Sequence, residues 1–175
     1  SVVGENPYSS PSDVWLRKRG LVENEPETGR MWLGHVIEPA LAAWYAQETG
    51  HRVRRFGRTV KHSKHAFALA SPDYAVLDHV QRRLLECKSV GFRSEHHWNR
   101  YAADGVPLYV LLQCQWQMGV TGAGLCDVAV IFLGDGERLI FELKFDAEMF
   151  AQLIVIVGKF WQLVLTGERP AVDGS

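Results

Sequence analysis

The chain has 175 residues, 47% apolar and 22% charged, with 19 lysines and arginines against 20 aspartates and glutamates. That length and balance predict a single domain over residues 1–175 and exclude a disordered tail, a collagen-like rod and a supercharged shell. A net charge of −1 advertises no polyanion partner but leaves room for a basic cleft. No apolar run approaches the ~18 residues that span a bilayer, and no basic-then-apolar leader opens the sequence; a cytoplasmic protein is expected. Cys87, Cys114 and Cys126 are widely spaced among apolar neighbours, which reads as reduced, buried thiols. The histidines, including His62, His65, His96 and His97, fall at no zinc spacing.

In chain order, turn residues from Pro7 to Gly29 leave space for one short helix, Ser12 to Arg19. Leu33, Ile37, Leu41, Trp44 and Tyr45 recur at helical spacing over residues 31–49, and Gly50 is the stop. Pro39 inside that pattern predicts a kink, or a helix beginning near Glu38. Strands are expected over residues 52–60, 66–70, 74–77 and 84–88, with Ser71-Pro72-Asp73 as a break. Residues 92–104 read as partly helical. Leu108 to Val120 is the clearest helix, ended by Gly122 and Gly124. Residues 128–133 and 138–144 form a hairpin around Gly134-Asp135-Gly136, and a last helix runs from Asp146 to Leu165. The order implies a mixed α/β fold, a central and largely antiparallel sheet flanked by helices.

The chemistry concentrates in Ser71-Pro72-Asp73 and Glu86-Cys87-Lys88. Residues two apart in a strand share a face, so Glu86 and Lys88 project together and Cys87 points the other way. A turn centred between His79 and Val80 puts Asp73 opposite Glu86, with β-carbons roughly 4.5–5.5 Å apart. Two carboxylates so close repel unless a divalent cation lies between them, and an oxygen-only set suits Mg²⁺ or Mn²⁺. Lys88 beside them can stabilise charge on a phosphate or orient the attacking water. This is what phosphodiester hydrolysis needs. The triplet alone is weak, since Glu142-Leu143-Lys144 repeats it without a preceding Ser-Pro-Asp and reads as a solvated strand end. Glu38, taken alone, fits a carboxylate complementing a helix N-terminus. Gln113 shares a helical face with Tyr109, Trp116 and Gln117 and needs partners, of which a bound phosphate is one and backbone another.

Met31 to Gly34 with Glu38-Pro39, Ser71-Pro72-Asp73, Glu86-Cys87-Lys88, Pro107-Leu108-Tyr109 and the run from Gln113 to Gly122 resemble the YqaJ-type phage recombinases. That family stands with lambda exonuclease in the PD-(D/E)xK nuclease superfamily. The resemblance runs from about Gly4 to Gly122, including Gly4-Glu5-Asn6-Pro7-Tyr8, and the tail around Phe160-Trp161 is similar to the family's closing helix. It implies a restriction-endonuclease-like core, with Asp73, Glu86 and the Cys87 carbonyl as Mg²⁺ or Mn²⁺ ligands and Glu38 assisting. Lys88 would be the catalytic lysine, and Ser71 and Gln113 would lie near the scissile or 5′ phosphate. The implied activity is 5′ to 3′ exonuclease digestion of linear duplex DNA in phage-type homologous recombination. The implied partners are a ring-shaped homotrimer and a single-strand annealing protein, in the cytoplasm of a bacterial or phage-infected host cell. Arg52, Arg54, Arg55, Arg58, Lys61, Lys64, Arg93 and Arg100 are candidates to line a duplex channel. The alternatives are a structure-specific or restriction-like endonuclease on the same core, or a catalytically idle DNA-binding scaffold.

Overall fold

In the computed structural model, which describes residues 10–23, 26–102 and 105–171, helix α1 (Pro11–Lys18) starts on a capping box. The Ser10 hydroxyl accepts from the Asp13 amide at 3.2 Å, and the Asp13 carboxylate accepts from the Ser10 amide at 2.9 Å. Helix α2 (Gly29–Thr49) starts well before Glu38, because the Thr28 hydroxyl caps the Met31 amide at 3.3 Å. The expected start near Glu38 is therefore corrected. Pro39 forfeits one helical hydrogen bond to His35, and both residues lie on the exposed side, where water can satisfy the freed carbonyl. Gly50 closes the helix at φ +73°, a conformation that strains a residue bearing a Cβ. The segment carrying Gly4-Glu5-Asn6-Pro7-Tyr8 lies outside the described residues.

Strands β1 (Val53–Arg55), β4 (Tyr74–Val76), β5 (Arg83–Val90), β6 (Leu125–Phe132) and β7 (Arg138–Lys144) form one sheet in the order β1-β4-β5-β6-β7. Strands β2 (Val60–Lys61) and β3 (Leu69–Ala70) form a second, two-stranded one. The long strands expected over 52–60 and 66–70 are thus shorter; Gly57, at φ +67°, interrupts the first. Among the described residues only β5 and β6 pair in parallel, and the crossover between them contains a helix, α3 (Leu108–Thr121). Among the described residues of the stretch after β5, the helical part is the 3₁₀ segment Phe92–His97.

Alternation along β5 and β6 divides the core of residues 27–146 into two faces. Leu84, Cys126, Val128 and Val130 pack with Val110, Cys114 and Met118 of α3. Leu85 and Ala129 pack with Leu41, Ala42 and Tyr45 of α2. Cys114 and Cys126 are buried free thiols as expected, whereas Cys87 is half-buried. At the start of β5, Arg83 donates to both Asp127 oxygens at 2.6 and 2.8 Å and to Glu142 at 2.8 Å, and the Tyr45 hydroxyl donates to Asp127. Glu142, expected as a merely solvated strand end, is half-exposed but paired, because the β6–β7 register sets it opposite Asp127.

Helices α1 and α4 (Ala147–Thr166) belong to a second compact unit. There Trp15 packs with Phe160 and Val164, and its indole N–H donates to the Leu163 carbonyl at 3.1 Å. The expectation that no segment reaches membrane length needs correction. By length and composition α4, at a mean hydropathy of 1.6, is apolar enough to cross a bilayer.

Candidate functional site

The register Tyr74↔Leu85, Ala75↔Leu84, Val76↔Arg83 continues one step to Asp73 and Glu86, the pairing expected from a turn centred at 79–80. The Asp73 Oδ2 accepts from the Cys87 amide at 2.9 Å, which holds the carboxylate against β5 just before β4 begins. The same carboxylate lines a cavity of ≈ 270 Å³ with Glu38, Glu86, Cys87, Lys88 and Ser89. Glu38 reaches it from the middle of α2 and lies 3.8 Å from the Arg55 guanidinium. Because α2 starts at Gly29, Glu38 is not a first-turn residue, and the reading of it as a helix-dipole carboxylate is withdrawn. At Gly34 helix α2 passes over β5, where an added Cβ would make an ordinary contact 3.9 Å from the Ser89 hydroxyl.

Glu86 is the most constrained acid, at 2% exposure. Its Oε1 accepts from Lys88 Nζ at 2.5 Å and from Gln113 Nε2 at 2.7 Å, and its Oε2 accepts from Gln117 Nε2 at 2.9 Å. Gln113 Oε1 in turn accepts from Lys88 at 3.0 Å. One lysine, one carboxylate and two amides thus form a closed set beneath the cavity. Gln117 is absent from the residues singled out for chemistry in the sequence, although its spacing of four from Gln113 on a helical face was the available signal.

Burial, and next the charge of Glu86, push the Asp73 carboxyl up to about 7; the Cys87 amide and Lys88 pull the other way, and Glu38 adds to the rise. Burial works against the charge of Lys88, but Glu86 and Asp73 overcome it and raise its pKa, so Lys88 remains an ammonium. Burial, then Asp73, Glu86 and Glu38, drives the Cys87 thiol up, which leaves it protonated and unreactive.

These donors fit a hard divalent cation. The acids facing the cavity outnumber its one ammonium, and they offer only oxygen. Three donated hydrogen bonds occupy Glu86, and a carboxylate offers about four lone-pair directions, so one remains on Oε2. Among the described residues, no group of three or more His, Cys, Asp and Glu side chains stands at metal-binding spacing. Such a site would use two carboxylates, the Cys87 carbonyl and water, in keeping with the reluctance of Mg²⁺ to dehydrate.

Ser71 lies apart from this set, in a neighbouring cavity of ≈ 320 Å³ lined by Glu38, Arg55, Arg58, Thr59 and Asp73, and it shares a 2.8 Å hydrogen bond with the Thr59 hydroxyl. Arg54, Arg58, Lys61, Lys64 and Arg93 are exposed, as a channel lining requires. Arg52 is exposed as well and lies 3.7 Å from Asp78. Arg100 is removed from the channel candidates, because Glu95, Asp135 and Glu137 surround its guanidinium at 3.0, 2.6 and 2.5 Å.

Known proteins resemble this chain in fold and in sequence. LHK-Exo, an alkaline exonuclease from Laribacter hongkongensis solved in complex with dAMP, superposes with a TM-score of 0.75 at 22% identity, covering 95% of this chain and 86% of that one. A phage-related exonuclease from Haemophilus somnus 129PT gives 0.66 at 10% identity, with 95% and 93% covered. The fold is therefore that of these exonucleases, a mixed α/β core with a mostly antiparallel sheet. In sequence, the chain is 27% identical over 177 residues to the protein YqaJ of Bacillus subtilis (strain 168), and it spans about half that protein's length, 54%. Residues 1–124 match the YqaJ-like viral recombinase domain, and the chain belongs to that family.

Proposed function

We propose that this protein is a divalent-metal-dependent deoxyribonuclease that hydrolyses linear duplex DNA as an exonuclease, 5′ to 3′, in phage-type recombination. The observation that carries the reading is the Asp73–Glu86 pair, one half-buried and one buried acid set opposite each other beside a charged lysine. Mg²⁺ or Mn²⁺, held by Asp73, Glu86 and the Cys87 carbonyl with Glu38 assisting, would supply Lewis-acid polarisation of the phosphate and an acidified water. Lys88 acts as an ammonium, donating to the phosphate oxygen where charge grows, and is not a base. Gln113 keeps it there by accepting a hydrogen bond from its ammonium. Ser71, with Arg55 and Arg58, offers a hydroxyl and two cations to a neighbouring phosphate. The exposed cations at Arg54, Arg58, Lys61 and Lys64 support duplex binding in a chain of net charge −1. By family resemblance the working form is a ring trimer acting with a single-strand annealing protein.

The test uses linear duplex DNA labelled at one 5′ or 3′ end, with Mg²⁺, beside a covalently closed circle. The expected result is mononucleotides from the 5′ label first, an intact circle, and no cleavage by Asp73→Ala despite retained DNA binding. Undiminished cleavage by that variant contradicts the site, and nicking of the circle contradicts the exonuclease.

A further inference from the structure

We propose that Gln117 is a positioning residue for the metal-binding carboxylate, its amide fixing the plane of Glu86 and so aiming the one open direction of Oε2. The inference rests on the metal-dependent reading above. Gln113 and Gln117 lie one turn apart on α3, on the face that meets Glu86. They grip different oxygens, at 2.7 Å to Oε1 and 2.9 Å to Oε2. A carboxylate held at both oxygens cannot turn about its last side-chain bond without breaking one contact. Lys88 saturates the Oε1 side, so the direction left for a cation is on the atom that Gln117 holds.

The amide has no comparable duty elsewhere. Gln117 is 5% exposed, and its Oε1 has no hydrogen-bond partner among the described residues. A buried acceptor left unpaired is unfavourable. Its donor side therefore explains the glutamine: turning the amide over would bring oxygen against oxygen. By contrast Gln115, on the same helix, uses both ends structurally, donating to the Lys144 carbonyl at 2.7 Å and accepting from the Asp146 amide at 2.8 Å. Helix position is secured from the other direction, where the Thr121 hydroxyl donates to the Gln117 carbonyl at 2.8 Å, a contact that survives any change of side chain.

Two variants of the full chain separate aim from bulk. Gln117→Met keeps length and helix propensity without a donor, and Gln117→Asn keeps the amide but withdraws it by one methylene. Mn²⁺ binding is measured by calorimetry without DNA, and cleavage against Mg²⁺ concentration is measured in parallel. Both variants are expected to weaken Mn²⁺ about tenfold, the range typical of groups that orient a metal ligand. Their Mg²⁺ requirement should rise in step, with KM for DNA unchanged and kcat recovering at saturating Mg²⁺. Wild-type Mn²⁺ affinity in both variants overturns the proposal. So does loss of cooperative thermal unfolding in both, or a kcat loss that excess Mg²⁺ does not restore, since either makes Gln117 merely structural. Asp73→Ala runs alongside: if it binds Mn²⁺ and cuts DNA normally, the metal-site reading itself has failed, independently of Gln117.

Discussion

At the scale of single residues the site is defined by crowding of like charge. Asp73 is held up to about 7, first by burial and then by Glu86, from an ordinary value of 3.8. Between those values the folded, metal-free protein keeps a proton that the unfolded chain has lost. This group's contribution to stability is therefore complete below the lower value and declines as pH rises through about 7. A cation must displace the same proton, so Mn²⁺ affinity is predicted to climb up to about pH 7 and flatten above it. Calorimetric titrations at about pH 6 and about pH 8 check this, and tighter binding at the acid end would contradict it. The residues on the strands were legible in sequence, because a period of two and a tight turn dictate which acids face each other. Gln117 was less so: glutamines at 113, 115 and 117 look alike in a row, and only the helix orientation separates the two that meet Glu86 from the one that ties down the end of β7.

At the scale of elements, β5 connects two charged groups of different character. Its middle carries Glu86 and Lys88, while its first residue, Arg83, binds Asp127 and Glu142. Such a buried set holds the strand register, because no shifted pairing would satisfy the arginine. Arg83→Met should leave Asp127 with an uncompensated buried charge and destabilise the fold by about 3–5 kcal/mol, read from urea unfolding. A change under about 1 kcal/mol would show that the network does not set the register. This group was not legible in the sequence, since Arg83, Asp127 and Glu142 are brought together by one parallel and one antiparallel pairing across 59 positions. Helix α2 illustrates the opposite error. Pro39 looked like a boundary, but a threonine cap and an exposed proline were enough to carry the helix through.

For the whole molecule, near-neutral net charge conceals local asymmetry. Arg52, Arg54, Arg55, Arg58, Lys61 and Lys64 fall within or next to β1 and β2, and Arg55 and Arg58 line a cavity with Glu38 and Asp73. Sequence order alone identified this cluster and the alternation of helices and strands. It did not reveal that Arg100 is occupied by three acids, because Glu95 comes from the 3₁₀ segment and Asp135 and Glu137 from the connection between β6 and β7. The proposed activity requires a cation held between Asp73 and Glu86, and anomalous diffraction from crystals grown with Mn²⁺ tests this most directly. The predicted result is a peak within about 2.5 Å of an oxygen of each acid and of the Cys87 carbonyl, lost in Asp73→Ala. A fully occupied Mn²⁺ elsewhere, with no density between these acids, would contradict it.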